Sequence, residues 1–327
     1  MEGLLHVKCH NNMRTIIIIL LSYLLISPLS GQEEWQKYQS IVSASSDNPN
    51  ELARTITTNF DTDQEKVQAI YYWITHNIRY DVKLYKKMKK SKTDRKKYSK
   101  KELKEKELKE VKKTLKSKKG VCQQYSRVFE YLCEGVGIQS VFVGGYGKAN
   151  PTKSGLGDKH AWNAVYLDGN WYLIDATFGA GYVDDNDKFH FAFNPGYFLA
   201  DPDAFAMNHF PTQSKWQLSQ QSIDKDDYKK NPGVGSGYFK YKLSSLTPGM
   251  HKLTAERGVP LVISFTAQES LTNLLIANIR QAKEITSEQI NEGERYTITV
   301  NTDELKSGTY GIFEGQVLLF VYRISVN

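Results

Sequence analysis

Apolar side chains recur at helical spacing in the middle of the chain. Tyr125, Val128, Phe129, Leu132, Cys133 and Val136 share a face of a run that opens at Cys122 and stops at Gly135 and Gly137. Upstream, Ile70, Trp73, Ile74 and Asn77-Ile78 form a second stripe of the same period. Residues 160–167 and 171–177 change to a period of two and are rich in β-formers. Asp168-Gly169 lies between them as a tight-turn signal. The segment PGVGSG at 232–237 reads as a linker by its Gly and Pro content. Beyond it short strands dominate: YFKYKLSSL, PLVISFTA, LTNLLIANIRQ, RYTITVN, GTYGIFEG and QVLLFVYRISV. Their number and spacing predict an all-β sandwich of immunoglobulin-like architecture over 236–327, without the Cys pair of true immunoglobulin domains. No internal repeat is present.

The chain has 327 residues, 40% of them hydrophobic, enough for a full core and for two domains. Residues 13–32 carry Arg14, an apolar run and then small residues at Ser30 and Gly31. This is the pattern of a secretory signal peptide over residues 1–31, with Met13 as a second candidate start and cleavage near Gly31-Gln32. An uncleaved N-terminal anchor is the alternative. The expected location after cleavage is secreted or periplasmic. Charge is uneven. The net is +7, yet residues 83–119 hold 19 Lys and Arg against five acidic residues. Leu103, Leu108, Val111 and Leu115 give this segment a thin helical stripe with Glu-Lys pairs. It reads either as a solvated, partly disordered insertion or as a basic flap that recruits an anionic envelope polymer or lipid surface. Nucleic acid is not expected as a partner, because aromatic residues are not interleaved apart from Tyr85 and Tyr98.

The candidate chemistry lies where the helical and alternating patterns meet. Cys122 opens the helical run, where unpaired N–H groups and the helix dipole favour a thiolate and could receive an oxyanion. A two-residue loop at Asp168-Gly169 would set Leu167 opposite Asn170, Tyr166 opposite Trp171 and Ala164 opposite Leu173. His160 and Asp175 then become diagonal neighbours on one face, roughly 7–8 Å apart at the backbone. A three-residue loop would put them on opposite faces. With the two-residue turn, Asp175 can orient the imidazole of His160, and His160 can serve Cys122. Cys122 and Cys133 lie about 16 Å apart along one helix, too far for a disulfide, which needs Cα atoms within about 7 Å. Cys133 reads as core. His190, His209 and His251 are far apart in sequence and no cluster has metal-ligand spacing, so neither metal nor cofactor is expected.

The Cys-containing helix, HAWN at 160–163 and WYLIDATFG at 171–179 together resemble the transglutaminase-like superfamily of papain-like folds. IYYWITHNIRYD at 70–81 and YFLADPDAFAMNHFPTQSKWQLSQ at 197–220 extend the resemblance, which is closest to the kyphoscoliosis-peptidase-type branch. It implies an α+β, papain-like domain over 32–231, interrupted by the insertion at 83–119. It also implies Cys122 as nucleophile, His160 as base and Asp175 as orienting residue. Trp73 and Gln123 are oxyanion candidates by the same resemblance, although Trp73 equally reads as part of its core stripe. Trp162 and Asn163 are cleft candidates or plain sheet residues.

Two functions follow. The first is an exported cysteine peptidase, amidase or acyltransferase acting on protein or peptide substrates through a thioester, with hydrolysis ahead of transamidation. The alternative is a non-catalytic module that binds peptides or envelope components with the same fold.

Overall fold

In the computed structural model, residues 31–90 and 98–327 are described. The signal-peptide expectation for 1–31 therefore lies almost wholly outside them. Among the described residues no helix is long and apolar enough to cross a membrane. Residues up to Ser40 form one unit and residues 41–327 a second. In the first, a short helix Gly31–Gln36 is followed by Tyr38, whose ring lies 5.9 Å from that of Trp35.

The larger unit begins with two helices, α1 (Pro49–Thr57) and α2 (Asp63–Asn77). Helix α2 starts where Thr62 and Glu65 cap each other reciprocally, at 3.2 and 3.3 Å. Its residues Val67 to Thr75 are buried. Strand β1 (Arg79–Tyr80) follows and pairs in parallel with β2 (Lys119–Gly120), with Tyr80 opposite Gly120.

The Lys-rich insertion between them is helical. Helix α3 (Val82–Lys90) buries none of its side chains. Helix α4 (Lys100–Ser117) is capped by Ser99 and Glu102. Only the C-terminal part of its thin stripe, Val111 and Leu115 with Thr114, is buried, and Leu103 stays exposed. Helix α4 docks on helix α5 (Cys122–Glu134) through Glu107–Arg127 at 2.7 Å and Lys104–Glu134 at 3.1 Å. The described part of the insertion is thus ordered by capping and ion pairs, which a reading by net charge alone would not anticipate.

Helix α5 packs on a four-stranded antiparallel sheet of order β5-β4-β3-β8. The strands are β3 (Ser140–Gly147), β4 (Asp158–Leu167), β5 (Asn170–Ile174) and β8 (His209–Pro211). Between β5 and β8 come the one-turn helix α6 (Ala176–Ala180) and the hairpin β6 (Gly181–Val183) and β7 (Phe189–Phe191).

The strand-rich remainder forms two further sheets. One has the order β11 (Lys252–Ala255), β18, β17 (Gly308–Glu314), β13 (Leu274–Asn278), β14 (Lys283–Ile285), and the other the order β10 (Leu243–Thr247), β12, β16 (Arg295–Val300), β15 (Ser287–Glu292). Their longest members are β18 (Val317–Val326) and β12 (Leu261–Ala267). The rings of Phe265 and Phe320 meet between them at 5.2 Å. The Pro/Gly segment 232–237 is not a solvated linker. Gly233 and Val234 form β9, pair with β18 and are buried. Glycine is required there because a Cβ at 233 would lie 1.7 Å from the Pro151 carbonyl oxygen. Gly and Pro mark a close backbone approach here, which composition cannot tell from a flexible joint.

Candidate active site

The β4–β5 turn has the two-residue form. Asp168 and Gly169 both adopt positive φ (48° and 84°), the type I′ geometry that matches strand twist. Leu167 faces Asn170, Tyr166 faces Trp171 and Ala164 faces Leu173, as the alternation predicts. Asp175 differs from expectation in one respect: strand β5 ends at Ile174, and Asp175 is the N-cap of α6. Its Oδ1 accepts from the Thr177 and Phe178 N–H groups at 2.7 and 3.1 Å. Its Oδ2 is left facing His160, whose Nε2 lies 2.7 Å away. An ionised carboxylate only accepts, so the proton sits on Nε2 and Nδ1 is the nitrogen left for the thiol.

Cys122 is the first residue of α5, with Val121 as N-cap. The Val121 N–H is taken by Gln124 Oε1 at 3.1 Å, which pins the helix start. Among the described residues both cysteines, Cys122 and Cys133, are free; Cys122 is half-buried and Cys133 fully buried. Burial opposes charge on His160, but the charge and hydrogen bond of Asp175, with the Cys122 thiol, outweigh it and hold the imidazole protonated well above its ordinary range. For Asp175 burial alone would favour the neutral acid; His160 and then His209 reverse this and keep the carboxyl ionised far below its usual range.

The other anticipated residues fall elsewhere. Trp73 is fully buried, and its indole N–H, the side chain's sole donor, is spent on the Ala44 carbonyl at 3.0 Å. It is a core residue of its helix stripe. Gln123 is exposed. Asn163 is buried and donates to the Ser126 carbonyl of α5 at 3.1 Å and to Val141 of β3 at 3.3 Å, tying the cysteine helix to the sheet. Trp162 does belong to the site: its ring lies near-parallel to that of His160 at 6.0 Å, and its buried indole N–H has no hydrogen-bond partner among the described residues.

Two residues at the site were not anticipated. Tyr80, on β1, lies within electrostatic reach of Cys122; burial first, then the charges of Cys122 and its neighbours, keep its hydroxyl protonated. His209 donates to the same Asp175 Oδ2 at 3.0 Å. His160, Asp175 and His209 present atoms within 4.8 Å of one another, a set that could hold a metal among the described residues. Both imidazoles are already at hydrogen-bond distance from one carboxylate oxygen, so the geometry is accounted for by hydrogen bonding. The sequence held one hint: Gly145 and Gly147 within β3, where glycine signals close approach.

Residues 50–176, which include Cys122, His160 and Asp175, match the transglutaminase-like superfamily, and the chain belongs to that superfamily. Within it the chain falls in the kyphoscoliosis-peptidase-type branch. It is 33% identical to kyphoscoliosis peptidase of Mus musculus over 232 residues, 66% of this chain and 32% of that protein. The Homo sapiens protein of that name is 32% identical over 247 residues, 71% of this chain and 35% of that one. Hillarin of Drosophila melanogaster is 26% identical over 209 residues, 59% of this chain and 23% of its own. The chain spans about a third of the length of the two peptidases.

Proposed function

We propose that the chain is a cysteine-dependent enzyme that hydrolyses peptide or carboxamide bonds through a thioester on Cys122. The observation that carries this reading is the solvent-shielded His160–Asp175 bond of 2.7 Å, on an imidazole that also interacts with the Cys122 side chain at the start of α5. In the first step Cys122 Sγ, its proton already held by His160, bonds to the substrate carbonyl carbon. The C–N bond breaks as His160 gives its proton to the departing amine. Water then attacks the thioester, His160 takes its proton, and the C–S bond breaks to release the acid and restore the Cys122 thiolate beside a protonated His160. The Cys122 N–H, in the first turn of α5, is the donor for the tetrahedral oxyanion. The protonated hydroxyl of Tyr80 is taken as a second donor.

Hydrolysis is favoured over transamidation because the relatives with the higher identity are named peptidases. We read the two C-terminal sheets as an immunoglobulin-like sandwich. The protein is taken to be exported, with the exposed lysines of α3 and α4 as a contact for anionic envelope polymers or lipid headgroups.

The test is the alkylation of Cys122 against pH, followed peptide by peptide, with Cys133 as internal control. Cys122 is expected to react at neutral pH at least about tenfold faster than Cys133, and His160→Ala to abolish the advantage. A Cys122 indifferent to His160 would sink the reading in favour of a non-catalytic binding module. Peptide turnover in ¹⁸O-labelled water, with and without a primary amine, separates the acceptors: label in the new carboxyl marks hydrolysis, and an amine adduct marks transamidation.

A further inference from the structure

Asp175 holds two imidazoles, and the chemistry proposed above uses one. The other, His209, enters from β8, which pairs with β3 so that His209 lies opposite Gly147. His160 lies on the far side of the same strand, opposite Gly145. The two rings reach one carboxylate across β3 because that strand carries no side chain at 145 or 147. A Cβ on Gly147 would lie 2.9 Å from the His160 ring. The His209 side chain is wholly buried. Phe205 stacks on it at 3.7 Å and 13°, and Trp162 meets it edge-on at 5.0 Å. A ring held this tightly has one direction in which to donate.

We propose that His209 is a positioning residue for the thiol–imidazole pair: its neutral ring donates from Nε2 to the carboxylate oxygen that holds His160, fixing that oxygen and sharing its charge. The proposal rests on the reading of Cys122 and His160 given above. The accounting at Asp175 supports it. Oδ1 is filled by two backbone N–H groups and Oδ2 by two imidazoles, so every acceptor position has a donor and none needs water. Burial is the main cause that pushes the His209 pKa down, to about 4; Asp175 works against it and the charge of His160 with it. The ring is therefore neutral at pH 7. The ionisable groups that face it are Asp175, His160 and Tyr197, whose hydroxyl burial keeps protonated. His209 Nδ1 points toward the Phe205 carbonyl without reaching hydrogen-bond geometry. His209 also lies beyond the stretch 50–176 that defines the family match.

The chemical consequence concerns the His160 proton. Without His209, Oδ2 would serve His160 alone and be more basic, so the imidazolium would release its proton less readily to a leaving amine.

The test is a histidine ¹⁵N NMR titration of the full chain, with signals assigned by His160→Ala and His209→Phe. In His209→Phe, which preserves the stack on Phe205, the His160 midpoint is expected to rise by on the order of one pH unit. His209→Gln, whose amide can donate to the same oxygen, is expected to restore most of it. A packing role alone would lower the melting temperature and leave the midpoint in place; that result, or a downward shift, overturns the proposal. The wild-type spectrum decides if the Phe variant does not fold. A neutral His209 with the proton on Nε2 at pH 7 supports the proposal, and an imidazolium or the Nδ1–H tautomer overturns it. Alkylation of Cys122 in the same samples separates the two layers. If His160→Ala removes the acceleration and His209→Phe leaves the His160 midpoint unchanged, this inference fails alone. If His160→Ala changes nothing, the reading of the site fails with it.

Discussion

Two sets of carboxylate–cation contacts lie along β4 and teach opposite lessons. At Asp175 both histidines and the carboxylate are almost free of solvent, at 8% exposure or less. Two residues before His160, Asp158 bonds Lys89 of α3 at 2.9 Å with both side chains 60% exposed. Lys86 makes a like contact to Asp187 beyond β6, also at the surface. The distances are similar, but the energies are not. Water screens the outer pairs, which are worth about 0–1 kcal/mol each. The inner cluster has lost its water, so each partner decides the protonation of the others. The same pairing chemistry thus does two jobs: it sets proton positions inside and steers a helix outside.

Asp175→Asn should break the comparison most. It leaves two buried imidazoles without their anion, for a loss of about 3–5 kcal/mol in urea unfolding. The fast alkylation of Cys122 should go with it. If stability falls by under 1 kcal/mol, the cluster behaves like a surface pair.

Acidity probes the inner cluster next. His160 is raised, so its contribution to stability is full below about pH 6.5 and fades as pH climbs through its raised native value. Asp175 is lowered, so its contribution is present above about pH 4 and fades as pH falls further. His209 is lowered to about 4: the unfolded chain takes up a proton that the folded one refuses, and stability drops as pH falls from 6.5 toward 4. The melting temperature is therefore expected to decline already below pH 6.5, before carboxylates titrate. His209→Phe should flatten that part of the curve.

Trp73→Phe sharpens the assignment of the core. It removes the bond to Ala44, at a cost of about 1 kcal/mol, and should leave the Cys122 alkylation rate within twofold of wild type. A large loss of rate would return Trp73 to the oxyanion site. The smallest effect belongs to Lys89→Ala: at most about 1 kcal/mol in low salt, vanishing near 1 M salt.

What could be read from the sequence was whatever depends on local periodicity. The helix that Cys122 opens and the parity of the β4–β5 hairpin follow from spacing, and the hairpin parity alone places Asp175 within reach of His160. The end of β5 at Ile174 was less legible, because an Asp before Ala-Thr-Phe suits a strand end and an N-cap equally. His209 could not be found that way. It reaches Asp175 through the order β5-β4-β3-β8, a property of sheet topology, and sequence distance had separated it from every partner. Trp73 was an oxyanion candidate by resemblance and Asn163 a cleft candidate. Their hydrogen bonds, to Ala44 and to Ser126 and Val141, come from segments that periodicity does not connect.

The pairing of β9 with β18 bears on how the protein is made. Val234 emerges from the ribosome 86 residues before Phe320, its partner across the strand pair. The nascent transglutaminase-like domain must carry an unzipped strand, with its apolar valine bare, until β18 is synthesised. Closing so long a loop is slow, because its entropy is lost before the contact rewards it. A stalled or shortened chain that lacks β18 would present that strand to any neighbour, and would be a target for chaperones and proteases even with Cys122, His160 and Asp175 all in place.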